Sequence, residues 1–185
     1  MNKVFCAYRR SFVGAVCSVN SDSRNYLLTP CTDRLHITPH AFDWSQNETG
    51  GVHLSFAILA DYFANDPAGK RTSLGDCLAG CLYARFQIAY LRHRPSNGFV
   101  LTSDGLSSIL RPLATDHREP LVIAFSQLAA HELAQARAAG KCPELRALRT
   151  QYTVALLSSL KCGVTFINTL FAEAHLDQIY EEAVS

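Results

Sequence analysis

The stretch Phe42-Asp43-Trp44-Ser45-Gln46-Asn47-Glu48-Thr49-Gly50-Gly51-Val52-His53-Leu54-Ser55-Phe56-Ala57-Ile58-Leu59-Ala60-Asp61-Tyr62 is where the chain changes its period. Phe42 and Trp44 alternate, as residues on one face of an extended segment do. From Val52 onward, Leu54, Ala57, Ile58 and Asp61-Tyr62 follow helical spacing. The Asn47–Gly51 segment between them reads as a flexible connection, in which Gly50-Gly51 lets the chain turn sharply from sheet to helix. Extended structure before this point and helix after it predict an α+β fold: a small antiparallel sheet packed on two to three helices, with an all-helical C-terminal extension.

Upstream, residues 3–8 and 12–19 are rich in Val, Phe, Tyr and Cys and flank Arg9-Arg10-Ser11, which reads as a hairpin. Ser21-Asp22-Ser23 supplies turn chemistry before a third strand, Asn25 to Thr29, closed by Pro30. Leu35-His36-Ile37 suits a short fourth. Downstream, the Val52 helix should end near Asn65-Asp66-Pro67, because proline disfavours helix in the residue before it. A second helix follows through Leu78, Leu82, Ala89 and Leu91. Gly80 inside it costs about 1 kcal/mol relative to alanine, which suggests a close packing contact. Pro95-Ser96-Asn97-Gly98 stops that helix and Phe99-Val100-Leu101 reads as a strand. Ser103 and Asp104 cap a short helix through Leu106, Ile109 and Leu110.

The character changes at Ala114 to Glu119, the best boundary between an α+β domain over 1–113 and a three-helix extension over 119–185. Pro120 starts a helix through Leu121, Phe125, Leu128 and Leu133, stopped by Gly140. Pro143 starts a second through Leu145, Leu148, Tyr152 and Leu156. A third runs from Val164 through Ile167, Phe171 and Ile179, with Gly163 as the break before it. So short a helical segment buries little alone, so its apolar stripes should dock on the first domain or on a second copy of the chain.

Phe42-x-Trp44, Gly50-Gly51-x-x-Leu54-Ser55-x-Ala57-Ile58-Leu59-x-Asp61, Phe86, Gly98-Phe99-x-Leu101-Thr102-Ser103 and the opening Lys3-Val4-Phe5 occur in one order. In this the chain resembles a family of small uncharacterised bacterial proteins, often encoded on phages, plasmids and integrative elements. The resemblance covers roughly residues 3–110 and leaves the helical extension unmatched. It departs at Ser45-Gln46-Asn47-Glu48-Thr49, where family members carry a tighter, more glycine-rich turn. What it implies is a setting on mobile genetic elements rather than a mechanism.

Composition narrows the function. The 185 residues are 48% hydrophobic and 18% charged, with a formal net charge of +1, so no global field drives the protein onto nucleic acid or an anionic membrane. Residues 1–112 carry 11 basic and 8 acidic side chains, and residues 113–185 carry 6 and 8, a contrast too small to direct a partner. Seven irregularly spaced cysteines, and a start that lacks a signal-peptide pattern, predict reduced thiols in the cytoplasm. No apolar run is long enough to span a membrane.

Each chemical motif lacks a part. Gly50-Gly51 before a helix could offer N–H groups to an anion, but no nucleotide-binding pattern accompanies it. His131-Glu132-x-x-Gln135 begins like a zinc-protease helix and lacks the second histidine. Cys77-x-x-x-Cys81 places two thiols on one helix face without a second pair to complete a tetrahedral metal site. His53, at a helix start, and Asp61 are the candidates for an enzyme of unrecognised class. No cofactor, metal site or catalytic residue is assigned.

The expected function is therefore a non-enzymatic binding protein acting on a bacterial host protein or ribonucleoprotein complex. An inhibitor of host defence, of anti-CRISPR or anti-restriction type, is its most concrete version. Phe42 and Trp44 are candidate partner anchors if exposed and cap the core of the first helix if buried, and Arg137, Lys141, Arg146 and Arg149 gather around the Gly140 turn as further partner contacts. The alternative is a nucleic-acid-binding regulatory or accessory protein using Arg85, Arg92 and Arg94.

Overall fold

The computed structural model describes residues 2–10, 14–30, 42–44, 48–64, 72–141 and 144–184. It is an α+β fold in two compact units, Met1–Leu113 and Ala114–Ser185.

The first unit holds a four-stranded antiparallel sheet in the order β3-β2-β1-β4. Its strands are β1 (Lys3–Arg10), β2 (Gly14–Ser21), β3 (Asn25–Leu27) and β4 (Gly98–Thr102). The hairpin is present, with Phe5 opposite Val19 and Ala7 opposite Cys17, and β4 pairs along the other side of β1. The third strand is shorter than the Asn25–Thr29 expected, and Leu35-His36-Ile37 lies outside the described residues. Side chains alternate across a strand, so Phe5, Ala7, Ala15, Cys17, Val19, Phe99 and Leu101 form one buried face. Lys3 shares that register and is also buried.

Helix α1 (Glu48–Ala64) is enclosed almost all round: from His53 to Phe63 every residue is buried. A helix apolar on every side is a central one. It packs along α2 (Ser73–Ala89), where Phe56 meets Tyr83 edge to face at 5.9 Å between ring centroids. Thr72 caps α2, its hydroxyl accepting from the Gly75 amide at 3.0 Å.

Two expectations about glycine are corrected here. Helix α1 begins at Glu48, so Gly50 and Gly51 sit in its first turns rather than in a flexible connection before it. A Cβ on Gly51 would lie 2.7 Å from Gln87 Nε2 and 3.2 Å from the Asp43 carbonyl, so close approach, not a chain reversal, requires glycine there. Conversely, Gly80 makes no close contact: it is exposed, with open space where a Cβ would stand.

After α2 a single 3₁₀ turn, Leu91–His93, leads to β4, and α3 (Ser103–Asp116) follows β4 without a loop. Helix α3 runs past Pro112 and is longer than expected. Its cap is Thr102, whose hydroxyl accepts from the Gly105 amide at 3.1 Å. Ser103 instead ties the helix start to β1, accepting from Lys3 N at 2.8 Å and donating to Lys3 O at 3.2 Å.

The second unit is helical: α4 (Arg118–Ala138), α5 (Leu145–Leu160), α6 (Val164–Glu173) and α7 (Leu176–Val184). Phe125, Tyr152 and Phe171 form a ring cluster with centroids 5.2–6.4 Å apart. Gly140, at φ 66°, ends α4 as expected, with the Lys141 amide reaching back to the Ala136 carbonyl at 2.9 Å. The expected third helix of the extension is two, broken at His175, which adopts φ 52°. The break before α6 is likewise made by a left-handed Lys161 (φ 50°), while Gly163 keeps an extended backbone. Both breaks use non-glycine residues in a conformation that normally favours glycine.

Candidate functional site

Phe42 and Trp44 are core residues, not exposed anchors; each is 4% exposed. Phe42 bridges to Ala15 at the start of β2. Trp44 donates its indole N–H to the Pro95 carbonyl at 2.8 Å and meets Phe99 edge to face at 5.3 Å. The Arg9 guanidinium lies over the indole at 5.3 Å while reaching Asp43 at 2.7 Å and the Ser96 carbonyl at 2.9 Å. A Trp so packed, with its one donor satisfied, stabilises the fold and offers a partner no surface.

The enzyme candidates do not converge. His53 is fully buried on α1, not partly exposed at a helix start. Asp61, two turns further on, is about 12 Å along the same axis. It is committed elsewhere: Lys3 Nζ approaches its Oδ2 at 2.9 Å and its carbonyl at 2.7 Å, and the Tyr26 hydroxyl donates to Oδ1 at 2.6 Å. This is a buried ion pair joining sheet to helix. The zinc-protease-like turn is also structural, since Glu132 accepts from the fully buried Tyr152 hydroxyl at 2.8 Å and His131 lies 2.8 Å from Gln135 Nε2. Among the described residues no group of three or more His, Cys, Asp or Glu side chains could hold a metal ion.

The thiols divide by environment. Burial, reinforced by Cys6 and Asp61, pushes the Cys17 thiol up to about 12. Cys162 is also buried. Cys77 and Cys81 are half-buried on α2, and a hydrogen bond from Cys77 lowers Cys81 against the opposing effect of burial.

The basic residues separate in the same way. Arg85 and Arg92 are exposed, whereas Arg94 lies over the Tyr90 ring at 4.1 Å. Arg137 donates to the Ala183 carbonyl at 3.3 Å, and Arg149 pairs with Asp177 at 2.7 Å, so both also hold α7. Lys141 and Arg146 are exposed.

Arg146 and Arg149 meet in one place. With Leu145, Thr150, Thr153 and Val154 they line a groove of about 360 Å³ along α5. Helical geometry sets this up, since residues three and four apart share a face, which brings 145, 146, 149, 150, 153 and 154 into one stripe. Val154 is 57% exposed and gives the groove an apolar floor. The arginines were recognised from the sequence; their apolar and hydroxyl neighbours were not, although the same spacing places them.

Fold and groove together define an α+β protein with a helical unit that presents cationic and apolar chemistry side by side. Compared with known proteins, the chain matches no family model, no curated protein and no solved structure. No helix among the described residues is long and apolar enough to cross a membrane.

Proposed function

We propose that the chain is a non-enzymatic binding protein that engages an acidic surface of a protein partner through the α5 groove. The observation that carries this reading is the groove itself: the exposed Arg146 guanidinium, next to an Arg149 that is paired with Asp177, and two hydroxyls beside Leu145 and Val154. Arginine forks match carboxylates bidentately, and an apolar floor supplies the desolvated centre that interfaces need. The motif resemblance adds a setting, a bacterial mobile genetic element acting in the reducing cytoplasm. A host complex, of which a defence complex is the most concrete case, is the partner of that setting.

The test is affinity capture from nuclease-treated bacterial lysate with three forms of the full chain. Wild type and Arg85→Glu/Arg92→Glu should retain the same protein partner, and Arg146→Glu should lose it. Capture that survives Arg146→Glu but disappears with the double variant or with nuclease would replace this reading with the nucleic-acid-binding one. Sedimentation of the purified chain at micromolar concentration distinguishes a second copy from a foreign partner, since a monomer removes the homodimer.

A further inference from the structure

Charge in the first unit is sorted by position, although its sum is small. Strand register puts Lys3 beside Ser21 and Val4 beside Thr102 at one end of the sheet, and Arg10 beside Gly14 and Tyr8 beside Gly98 at the other. The two long helices run along the same axis: Gly75 of α2 approaches Ala64 of α1, while Gln87 of α2 and the Asp43 carbonyl approach Gly51. Among the described residues the arginine end therefore collects Arg9, Arg10, Arg85, Arg92 and Arg94 from β1, α2 and the turn before β4, against Asp43 and Glu48. The Lys3 end holds Asp22, Asp61, Asp76 and Asp104 against Lys3 and Arg24. Charges that nearly cancel in the sum thus leave a cationic surface at one end of the sheet, where a local field attracts anions.

Two of these cations are ordered over tyrosine rings. The Arg10 guanidinium lies over Tyr8 at 5.5 Å and donates to its hydroxyl at 3.2 Å. The Arg94 guanidinium lies over Tyr90 at 4.1 Å, with its Nε donating to the Tyr90 carbonyl at 3.4 Å. Arg9 joins the two places, reaching the Ser96 carbonyl at 2.9 Å, and its ring partner Trp44 meets Phe99, which meets Tyr90 at 6.2 Å. A planar guanidinium held over a ring is ordered before a ligand arrives and keeps edge N–H groups for phosphate. Unpaired bases stack on tyrosine rings and guanidinium planes, whereas duplex bases are already stacked on one another. An acidic peptide would use the charge and leave the planes idle. We propose that the arginine end of the sheet is a binding site for single-stranded nucleic acid. The Tyr8–Arg10 and Tyr90–Arg94 stacks receive unpaired bases, and their guanidinium edges reach the flanking phosphates. The site lies wholly in the first unit and does not depend on the α5 groove.

The test is fluorescence anisotropy of a labelled, mixed-sequence DNA single strand of about twelve nucleotides, titrated with the full chain. Wild type should bind the strand more tightly than the same sequence as a duplex, and its affinity should fall as salt rises from about 50 to 200 mM. Arg10→Gln/Arg94→Gln should weaken binding at least about tenfold and make the salt slope shallower by about 1.4, the share of two phosphate contacts. Arg10→Lys/Arg94→Lys should keep the slope and still lose affinity, because lysine retains the charge without the plane. Arg24→Gln removes a guanidinium that lies over Tyr26 at 4.5 Å at the aspartate end, and should bind as wild type does. The proposal is overturned if the strand is not bound at about 50 mM salt, if the duplex binds as tightly, or if the glutamine pair binds like wild type. A polyglutamate peptide of equal charge that competes as well as unlabelled strand would overturn it too. Trp44-detected urea melts check that each variant is folded. Where the double variant is destabilised, Arg10→Gln alone, at an exposed strand end, carries the same test with binding weakened about threefold.

Discussion

Replacing Lys3 by Met should destabilise the first unit by about 3–5 kcal/mol, the cost of breaking a buried ion pair by removing one partner. The ammonium sits 2.9 Å from Asp61 Oδ2, with side-chain exposures of 3% and 6%, so solvent offers little compensation. Removing it also deletes the bond to the Asp61 carbonyl and leaves Tyr26 as the donor to the carboxylate among the described residues. Methionine has nearly the lysine's shape, so the loss is electrostatic rather than a cavity. Trp44 is the chain's one tryptophan and lies buried in this unit, so its fluorescence reports unfolding here and not in the helical unit. With a urea dependence of about 2 kcal/mol/M, the midpoint should fall by about 2 M. Removing the whole cluster, as Lys3→Met/Asp61→Leu/Tyr26→Phe, should recover most of the loss, because no charge or hydroxyl is then left buried without its partner. A Lys3→Met midpoint within about 0.5 M of wild type, equivalent to about 1 kcal/mol, would refute the argument. So would a triple variant less stable than the single one.

Three further outcomes follow from the packing. Gly51→Ala should cost about 1–3 kcal/mol by overpacking against Gln87 and Asp43, while Gly80→Ala on the open face of α2 should stabilise by up to about 1 kcal/mol; Trp44-detected urea melts compare them directly. Tyr152→Phe should cost about 1–3 kcal/mol in the helical unit by removing the bond to Glu132, read in urea as an earlier loss of far-ultraviolet circular dichroism with no shift of the Trp44 fluorescence transition. Stability should fall in alkali. Burial raises Cys17 from 9.0 and Tyr62 from 10.0, each to about 12, so both bind protons more tightly folded than unfolded. Their contribution is complete below about pH 9 and is lost as pH rises toward 12, with Cys17 giving a slope of at most about 1.4 kcal/mol per pH unit. A Cys17→Ala variant whose melts show the same alkaline slope would exclude Cys17 as its source.

How far the sequence could be read depends on the range of the forces involved. Strand alternation is local, so the hairpin over residues 3–8 and 12–19 and the strand Phe99-Val100-Leu101 were legible before any contact was known. The same locality gave the stripe Leu148, Tyr152 and Leu156 on α5, and the stop at Gly140, whose positive φ suits glycine. Lys3 was legible in principle, as a charge in the inward register of a strand, but its partner lies 58 residues away.

Tertiary structure decided the rest. Propensity argues against two glycines inside α1, yet the helix begins upstream of them, and at Gly51 the close approach of Gln87 and Asp43 favours a residue without a side chain. Trp44 beside a polar stretch could have faced solvent; Pro95, Phe99 and Arg9, all distant in sequence, closed over it. Gly163 announced the break before α6, although the left-handed residue there is Lys161; no glycine or proline announced the break at His175. By itself the sequence determined an α+β protein with a helical extension and where its cations lie. Only the fold decided that Phe42 and Trp44 are interior and that Arg137 and Arg149 also hold α7. Burial is settled by distant neighbours and not by residue type alone, whereas the stripe that sets Arg146 and Arg149 beside Leu145 and Val154 is local helical spacing.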